Sequence, residues 1–190
     1  MVDKINKRVC PVERAGGLDN SLRRLFQNPG RILKSYIKSG MTVLDIGCGP
    51  GFFSIEIAKM LKGSGIVIAA DLQEGMLDKV SKKISGTNVE KSIKLHKCSE
   101  NEIRVSERVD FVLAFYMIHE VPDKEKLFRE IKSILKPGGL VFIAEPAFHV
   151  SKTEFDKMTG MLNNTGFQII DRPKILFSRT VLITQKKLSG

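Results

Sequence analysis

The stretch Val43-Leu44-Asp45-Ile46-Gly47-Cys48-Gly49-Pro50-Gly51-Phe52-Phe53 constrains this chain more than any other. A strand apolar enough to be buried on both faces runs through three glycines in five residues and straight into a segment of helical period. Glycines at such a turn let the backbone approach a ligand closely and accept positive φ, while the helix that follows presents free N–H groups. A ligand is expected at this turn.

The rest of the chain supplies a sheet for the turn to sit on. Clear strands are read at Thr42 to Ile46, Ile66 to Asp71, Val109 to Phe115 and Leu140 to Glu145, with a weaker one around Ser92 to His96. Between them, Phe53, Ile57, Met60 and Leu61 make one apolar stripe on a helix, as do Leu127, Ile131, Ile134 and Leu135, and Met76, Val80 and Ile84 make a third. Lys136-Pro137-Gly138-Gly139 stops a helix and turns the chain into the next strand. Ser151-Lys152-Thr153-Glu154 has the spacing of a capping box, so a helix starts there and Gly166 ends it. Phe167 to Asp171 and Thr180 to Thr184 then read as closing strands. Ahead of the sheet, Leu22, Leu25 and Phe26 form a short amphipathic helix that Asn28-Pro29-Gly30 breaks, and Ile32, Leu33, Tyr36 and Ile37 begin another. These two helices are expected to form a lid. Strands alternating with helices predict a mainly parallel α/β sheet.

Several classes of protein drop out. At 190 residues the chain suits one domain. The opening stretch, Met1 to Gly17, is too charged for a secretory signal, and runs such as Ile66 to Ala70 are too short to span a bilayer, so a cytoplasmic protein with no membrane partner is expected. Cys10, Cys48 and Cys98 lack the spacing of a disulfide framework or a metal site, and no metal is expected. The net charge of +10 resides at the ends: residues 1–40 hold nine Lys or Arg against three acids, and from Arg172 onward five bases stand alone. Basic ends suit an anionic substrate or an RNA contact, yet ordinary solvated Lys and Arg on exposed faces are the commoner explanation.

The acids nearest the glycine turn narrow the ligand. A dinucleotide fingerprint counted from Gly47 needs a third glycine at position 52, which is Phe, so an NAD enzyme is disfavoured. Asp45, at the strand end, would repel a pyrophosphate but attract a cation, such as the amino group and sulfonium of S-adenosylmethionine. Asp71 ends the next strand, where a carboxylate can accept both ribose hydroxyls.

With those residues in place, the chain resembles the class I, Rossmann-like S-adenosylmethionine-dependent methyltransferases over nearly all of residues 40–185. D-I-G-C-G-P-G looks like the family's first motif, A-A-D-L its second and F-Y-M-I-H-E-V-P-D its fourth, while L-K-P-G-G-L-V-F-I looks like the turn into the fifth strand. The resemblance implies an α/β fold with a doubly wound, mainly parallel seven-stranded sheet, its last strand antiparallel, and N-terminal lid helices. Residues 1–39 would be the lid and substrate segment and 40–190 the cofactor-binding core of a single domain. S-adenosylmethionine would be the cofactor and S-adenosylhomocysteine the product. By the same resemblance Gly47, Gly49 and Gly51 line the methionine end of the cofactor, with Cys48 and Phe52 at the same turn. Asp71 would hold the ribose, and Leu72 and Met76 would flank the adenine. Many family members carry an acid after the third strand, where this chain reads His96-Lys97-Cys98-Ser99-Glu100, so Ser99 or a backbone amide is the candidate for the adenine amino group. Phe115 and Tyr116 end the fourth strand, where side chains can face the reacting methyl.

Methyl transfer from a sulfonium rewards alignment, and a general base is optional. His119, just past the fourth strand, is the candidate base, because imidazole titrates at about 6.5; its alternative is a packing or capping role. Glu120 reads as a solvated or structural carboxylate, and Glu145 and His149 could reach the same cleft. The leading expectation is a small-molecule methyltransferase with a possibly anionic acceptor. An RNA methyltransferase gripping phosphates with its basic ends, and a non-catalytic S-adenosylmethionine-binding protein, stand as alternatives.

Overall fold

The computed structural model describes residues 26–100 and 102–187. Its element order is α1 (Pro29–Leu33), β1 (Thr42–Ile46), α2 (Phe52–Leu61), β2 (Ile66–Asp71), α3 (Glu74–Ile84), β3 (Ile93–Lys97), β4 (Val109–Phe115), α4 (Lys124–Ile134), β5 (Leu135–Pro146), α5 (Lys152–Asn164), β6 (Phe167–Asp171) and β7 (Ser178–Gln185). The seven strands form one sheet in the order β3-β2-β1-β4-β5-β7-β6. The pairs among β1 to β5 are all parallel, and β7 runs antiparallel to both β5 and β6. This is the doubly wound arrangement with a reversed last strand.

Alternation along the central strands builds two cores. Leu44, Ile46, Ile68, Val112, Ala114, Val141 and Ile143 face one side, where Phe128 and Ile131 of α4 and Phe155 and Leu162 of α5 cover them. Val43, Val67, Ala69, Phe111, Leu113 and Phe142 face the other, under Leu33 of α1, Ile57 and Leu61 of α2, and Val80 and Ile84 of α3. The apolar stripes read from the sequence are thus the buried faces of α2, α3 and α4. α5 begins with the anticipated reciprocal cap, Glu154 N–H donating to Ser151 Oγ at 3.2 Å and Ser151 N–H to Glu154 Oε2 at 2.8 Å.

Three local expectations change. α4 ends at Ile134 and the chain is already in β5 at Leu135; Leu135 pairs with Val109 and Leu140 with Phe111, so Lys136 to Gly139 bulge out of the ladder. Asn28-Pro29-Gly30 does mark a break, since helix stops at Phe26, but it also starts the next helix ahead of the expected Ile32, because Asn28 Oδ1 accepts the Arg31 N–H at 3.1 Å and proline tolerates the first turn, where its missing N–H costs nothing. The segment Ile32 to Ile37 is helical only at its start: α1 stops at Leu33, Leu33 and Ile37 are buried beside α2, and the Tyr36 ring packs against Phe111 and Phe142. The expected helix at Leu22 and Leu25 lies outside the described residues.

Gly51 ties the turn after β1 to this packing. It caps α2 with φ +85°, and a Cβ there would sit 3.1 Å from Val80 Cγ2 of α3. Gly86 has φ +71° and open space around its missing Cβ. Gly51→Ala is therefore expected to lower stability by more than the roughly 1–2 kcal/mol of backbone strain that Gly86→Ala should cost, read from urea midpoints of both variants.

Candidate functional site

Strand order reverses between β1 and β4, so their carboxyl ends diverge into a crevice, where ligands of open α/β sheets bind. A cavity of ≈ 290 Å³ occupies it, walled by the turn after β1, the ends of β2 and β4, and the segments 98–103 and 116–123. Ten of the expected cofactor residues line it: Asp45, Gly47, Cys48, Gly49, Phe52, Asp71, Leu72, Met76, Ser99 and Phe115. Gly51 does not, since it faces Val80.

The turn makes room for a ligand but keeps its amides to itself. Gly47 and Cys48 N–H both donate to Ala70 O, at 2.8 and 3.0 Å, Gly49 N–H donates to Asp71 Oδ2 at 2.9 Å, and Gly51 N–H donates to Cys48 O at 3.1 Å. Pro50 has no N–H. A phosphate would thus find no free donor among residues 47–51, unlike the glycine-rich cradles of nucleotide-binding proteins. At Gly47, φ is +66° and a Cβ would lie 2.8 Å from Met117 Cβ, so only glycine lets the turn and the β4 loop close together.

Carboxylates are the charged groups of an otherwise largely apolar wall. Asp45 is buried and its Oδ2 accepts the Ser54 hydroxyl at 2.5 Å. Asp71 is also buried, and besides Gly49 it accepts the Gln73 N–H at 2.8 Å on its other oxygen. Each Asp71 oxygen keeps a lone pair for a ligand hydroxyl. Burial raises the Asp71 pKa, against the lowering effect of these amides and of Lys97. Glu100, Glu102, Glu120, Asp123 and Glu130 complete a set of seven acids, and no Lys, Arg or His lines the cavity among the described residues. Some are already engaged: Glu102 pairs with Arg104 at 2.8 Å and Lys126 at 3.2 Å, and Glu130 accepts the amides of Ile103 and Arg104. The basic residues that give the chain its net charge lie elsewhere.

The same physics holds the thiols of Cys48 and Cys98 in their protonated form. Burial, then the charge of Asp71, pushes Cys98 up to about 12, and burial with Asp45 and Asp71 raises Cys48 well above the usual thiol range. Ser99 lines the cavity, but its hydroxyl and amide both donate to Glu102 O, at 3.3 and 3.0 Å.

Beyond β4 the side chains sort differently from the sequence reading. His119 does not line the cavity, whereas its neighbour Glu120 does. His119 Nδ1 hydrogen-bonds Glu145 Oε2, and its Nε2 lies 3.9 Å from Glu120 Oε1. Glu145, on β5 and 2 % exposed, also accepts the Ile118 N–H at 2.8 Å. Burial works to lower the His119 pKa, but the hydrogen bond and charge of Glu145, with Glu120 behind, outweigh it and raise the pKa. His149 packs its ring edge-on against His119 and is itself exposed. Phe53, read from the sequence only as part of a helix stripe, joins the expected Phe115 and Tyr116 in an aromatic strip along the cavity: ring centroids of Phe53 and Phe115 are 4.4 Å apart, and those of Phe115 and Tyr116 4.6 Å. Tyr116 holds φ +63°, a left-handed conformation uncommon for a bulky residue. It is pinned by Gln27 Nε2, donating to its hydroxyl at 2.5 Å, and by Ser178 Oγ at 2.6 Å.

Residues 37–179 match the methyltransferase-domain family. Over 130 residues, 68% of this chain, the sequence is 35% identical to a demethylmenaquinone methyltransferase of Lactobacillus johnsonii, and over 142 residues it is 28% identical to a ubiquinone/menaquinone biosynthesis C-methyltransferase of Haemophilus ducreyi. Those alignments cover 51% and 52% of the two relatives, so the matched region is about half the length of either. The fold is similar to that of an S-adenosylmethionine-dependent methyltransferase from Aquifex aeolicus, with TM-score 0.83 and 26% identity over 92% of this chain and 98% of that one.

The His119–Glu145 pair gives a pH signature. A histidine whose folded pKa is raised contributes stability that is complete below its unfolded value of about 6.5 and is lost as pH rises through the folded value. In an NMR titration His119 should titrate above about 6.5. Glu145→Gln should bring the midpoint down and remove the extra stability of slightly acidic over alkaline solution; an unmoved midpoint would mean the pair does not form.

Proposed function

The chain belongs to the class I S-adenosylmethionine-dependent methyltransferases, and from that premise we propose that it methylates a neutral or cationic small molecule at the mouth of the acidic cavity. The sign of the cavity wall carries this reading: seven carboxylates and no cation among the described lining residues suit a sulfonium and an amino group, and repel a phosphate or carboxylate acceptor. The residues fit the cofactor on their own terms. Asp71 has spare lone pairs that suit a diol, and Leu72 and Met76 offer an apolar slot beside it. Bound there, S-adenosylmethionine would supply a methyl group on a cationic sulfur with a neutral thioether as leaving group.

The protein's own part is alignment and charge. Phe53, Phe115 and Tyr116 offer ring faces to a flat acceptor, and excluding water beside them holds nucleophile and methyl at contact distance. Where the acceptor loses a proton, Glu120 is the carboxylate at the wall to take it, with the His119–Glu145 pair behind it. In this reading His119 is a positioning residue for Glu120. Two relatives carry quinone names, so quinol ring systems head the acceptor screen.

Isothermal titration tests the reading first. Wild type should bind S-adenosylmethionine and S-adenosylhomocysteine, and Asp71→Asn, which keeps one acceptor oxygen, should bind about tenfold or more weakly. A folded protein that binds neither ligand overturns the proposal. With binding in hand, 1,4-naphthoquinol should yield S-adenosylhomocysteine, and Glu120→Gln should lower turnover by about 10²-fold, far more than it weakens cofactor binding. Binding without turnover on any acceptor tried would favour a sensor, and turnover on RNA that falls steeply with salt would favour the RNA reading.

A further inference from the structure

The largest exposed apolar side chains cluster beside the cavity mouth. Phe148 is 82% exposed, Phe177 58% and Leu176 53%. They lie together because Ala147 N–H donates to Phe177 O at 2.8 Å, which brings the end of β5 against the loop before β7. The Phe26 ring meets Phe177 edge-on at 6.1 Å. Phe177 itself holds φ +59°, a conformation that aromatic residues avoid, and Ser178 and Phe177 O both bond the hydroxyl of Tyr116, which lines the cavity. Solvent-facing phenylalanine and leucine at this density need a partner.

Charge says which partner. Phe26 and Leu176 also wall a separate groove of ≈ 330 Å³, together with Arg31 and Lys174, and none of its lining residues is acidic. Neither Arg31 nor Lys174 has a carboxylate within 4.0 Å among the described residues. Between Phe167 and Lys187 the chain carries one acid, Asp171, against five Lys and Arg. A second soluble protein would pair these cations with scattered acids, whereas a lipid surface offers a continuous plane of phosphates above an apolar interior. Apolar prongs flanked by unpaired cations match that layering.

We propose that this face, with Phe148, Leu176 and Phe177 as prongs and Arg31 and Lys174 as headgroup contacts, docks on an anionic lipid bilayer. No helix among the described residues is long and apolar enough to cross a membrane, so the attachment is peripheral and reversible. This departs from the sequence expectation of no membrane partner, which weighed run length and not surface. Docking this way holds the cavity mouth at the bilayer, where an amphipathic acceptor would be presented.

The test is cosedimentation of the full chain with vesicles of phosphatidylcholine alone or with about one part in three phosphatidylglycerol. The wild type should pellet with the anionic vesicles only, and high salt should weaken this. Phe148→Ser/Leu176→Ser and Arg31→Gln/Lys174→Gln should each bind about tenfold or more weakly, with circular dichroism and cofactor binding unchanged. No binding to anionic vesicles overturns the proposal. So does binding that both double variants retain, which would assign it to other basic residues. A wild-type dimer in sedimentation velocity that Phe148→Ser/Leu176→Ser converts to monomer, without vesicle binding, would assign the face to a second copy. Neither vesicle measurement uses an acceptor, so its failure leaves the methyl-transfer reading untouched, and failure of that reading leaves docking intact.

Discussion

Much of this site hangs on one carboxylate kept almost out of water. Asp71 ends β2 and gives one oxygen to the Gly49 amide and the other to the Gln73 amide, so the turn after β1 and the start of α3 are fixed by the same group. Burial makes its ionised form expensive, and two N–H donors with Lys97 nearby offset that cost. Structure and recognition are therefore hard to separate at this position: a residue that shapes the glycine turn is also the one whose spare lone pairs face the cavity. Removing the whole carboxyl would leave the Gly49 amide buried without a partner, so a lost affinity in Asp71→Ala would confound a collapsed turn with a missing ligand contact.

Charge segregation is the second organising feature. The overall excess of ten positive charges gives the wrong sign for the cavity, whose charged lining is acidic, and the right sign for the groove between α1 and the loop before β7. Charges of both signs are kept apart because they come from different elements: cavity residues from the ends of β1, β2 and β4, the basic groove from α1 and the loop before β7. Tyr116 links the two, with its ring on the cavity wall and its hydroxyl bonded across to Ser178.

How much of this could be read in the sequence follows from what each signal measures. The strands β1, β2, β4 and β6 were legible to the residue, because short segments rich in β-branched, aromatic and other apolar residues and bounded by turns leave little freedom. The capping box at Ser151 was equally plain, being a local interaction with a fixed spacing. Lys136 to Gly139 misled because proline and glycine mark a break without saying whether the chain turns or bulges; pairing with β4 at both Leu135 and Leu140 decided that, and such pairing is not local. Asn28-Pro29-Gly30 was ambiguous for a similar reason, since proline just after asparagine begins a helix as readily as it interrupts one.

The site shows the same division between local and distant causes. Motif spacing put Asp45, Gly47 and Asp71 at the cavity because consecutive strands carry them there. No spacing rule could have found that His119 turns back to a buried carboxylate on β5 while Glu120, one residue on, lines the cavity. That choice is made by Glu145, 26 residues away, which takes both the Ile118 amide and the imidazole and so fixes the short turn after β4. An imidazole held this way is biased towards its charged form, which suits it to steadying a neighbouring carboxylate better than to taking a proton near neutrality. The residue type announced proton chemistry near the cavity, and the tertiary partner, invisible to any local pattern, determined which side chain faces it.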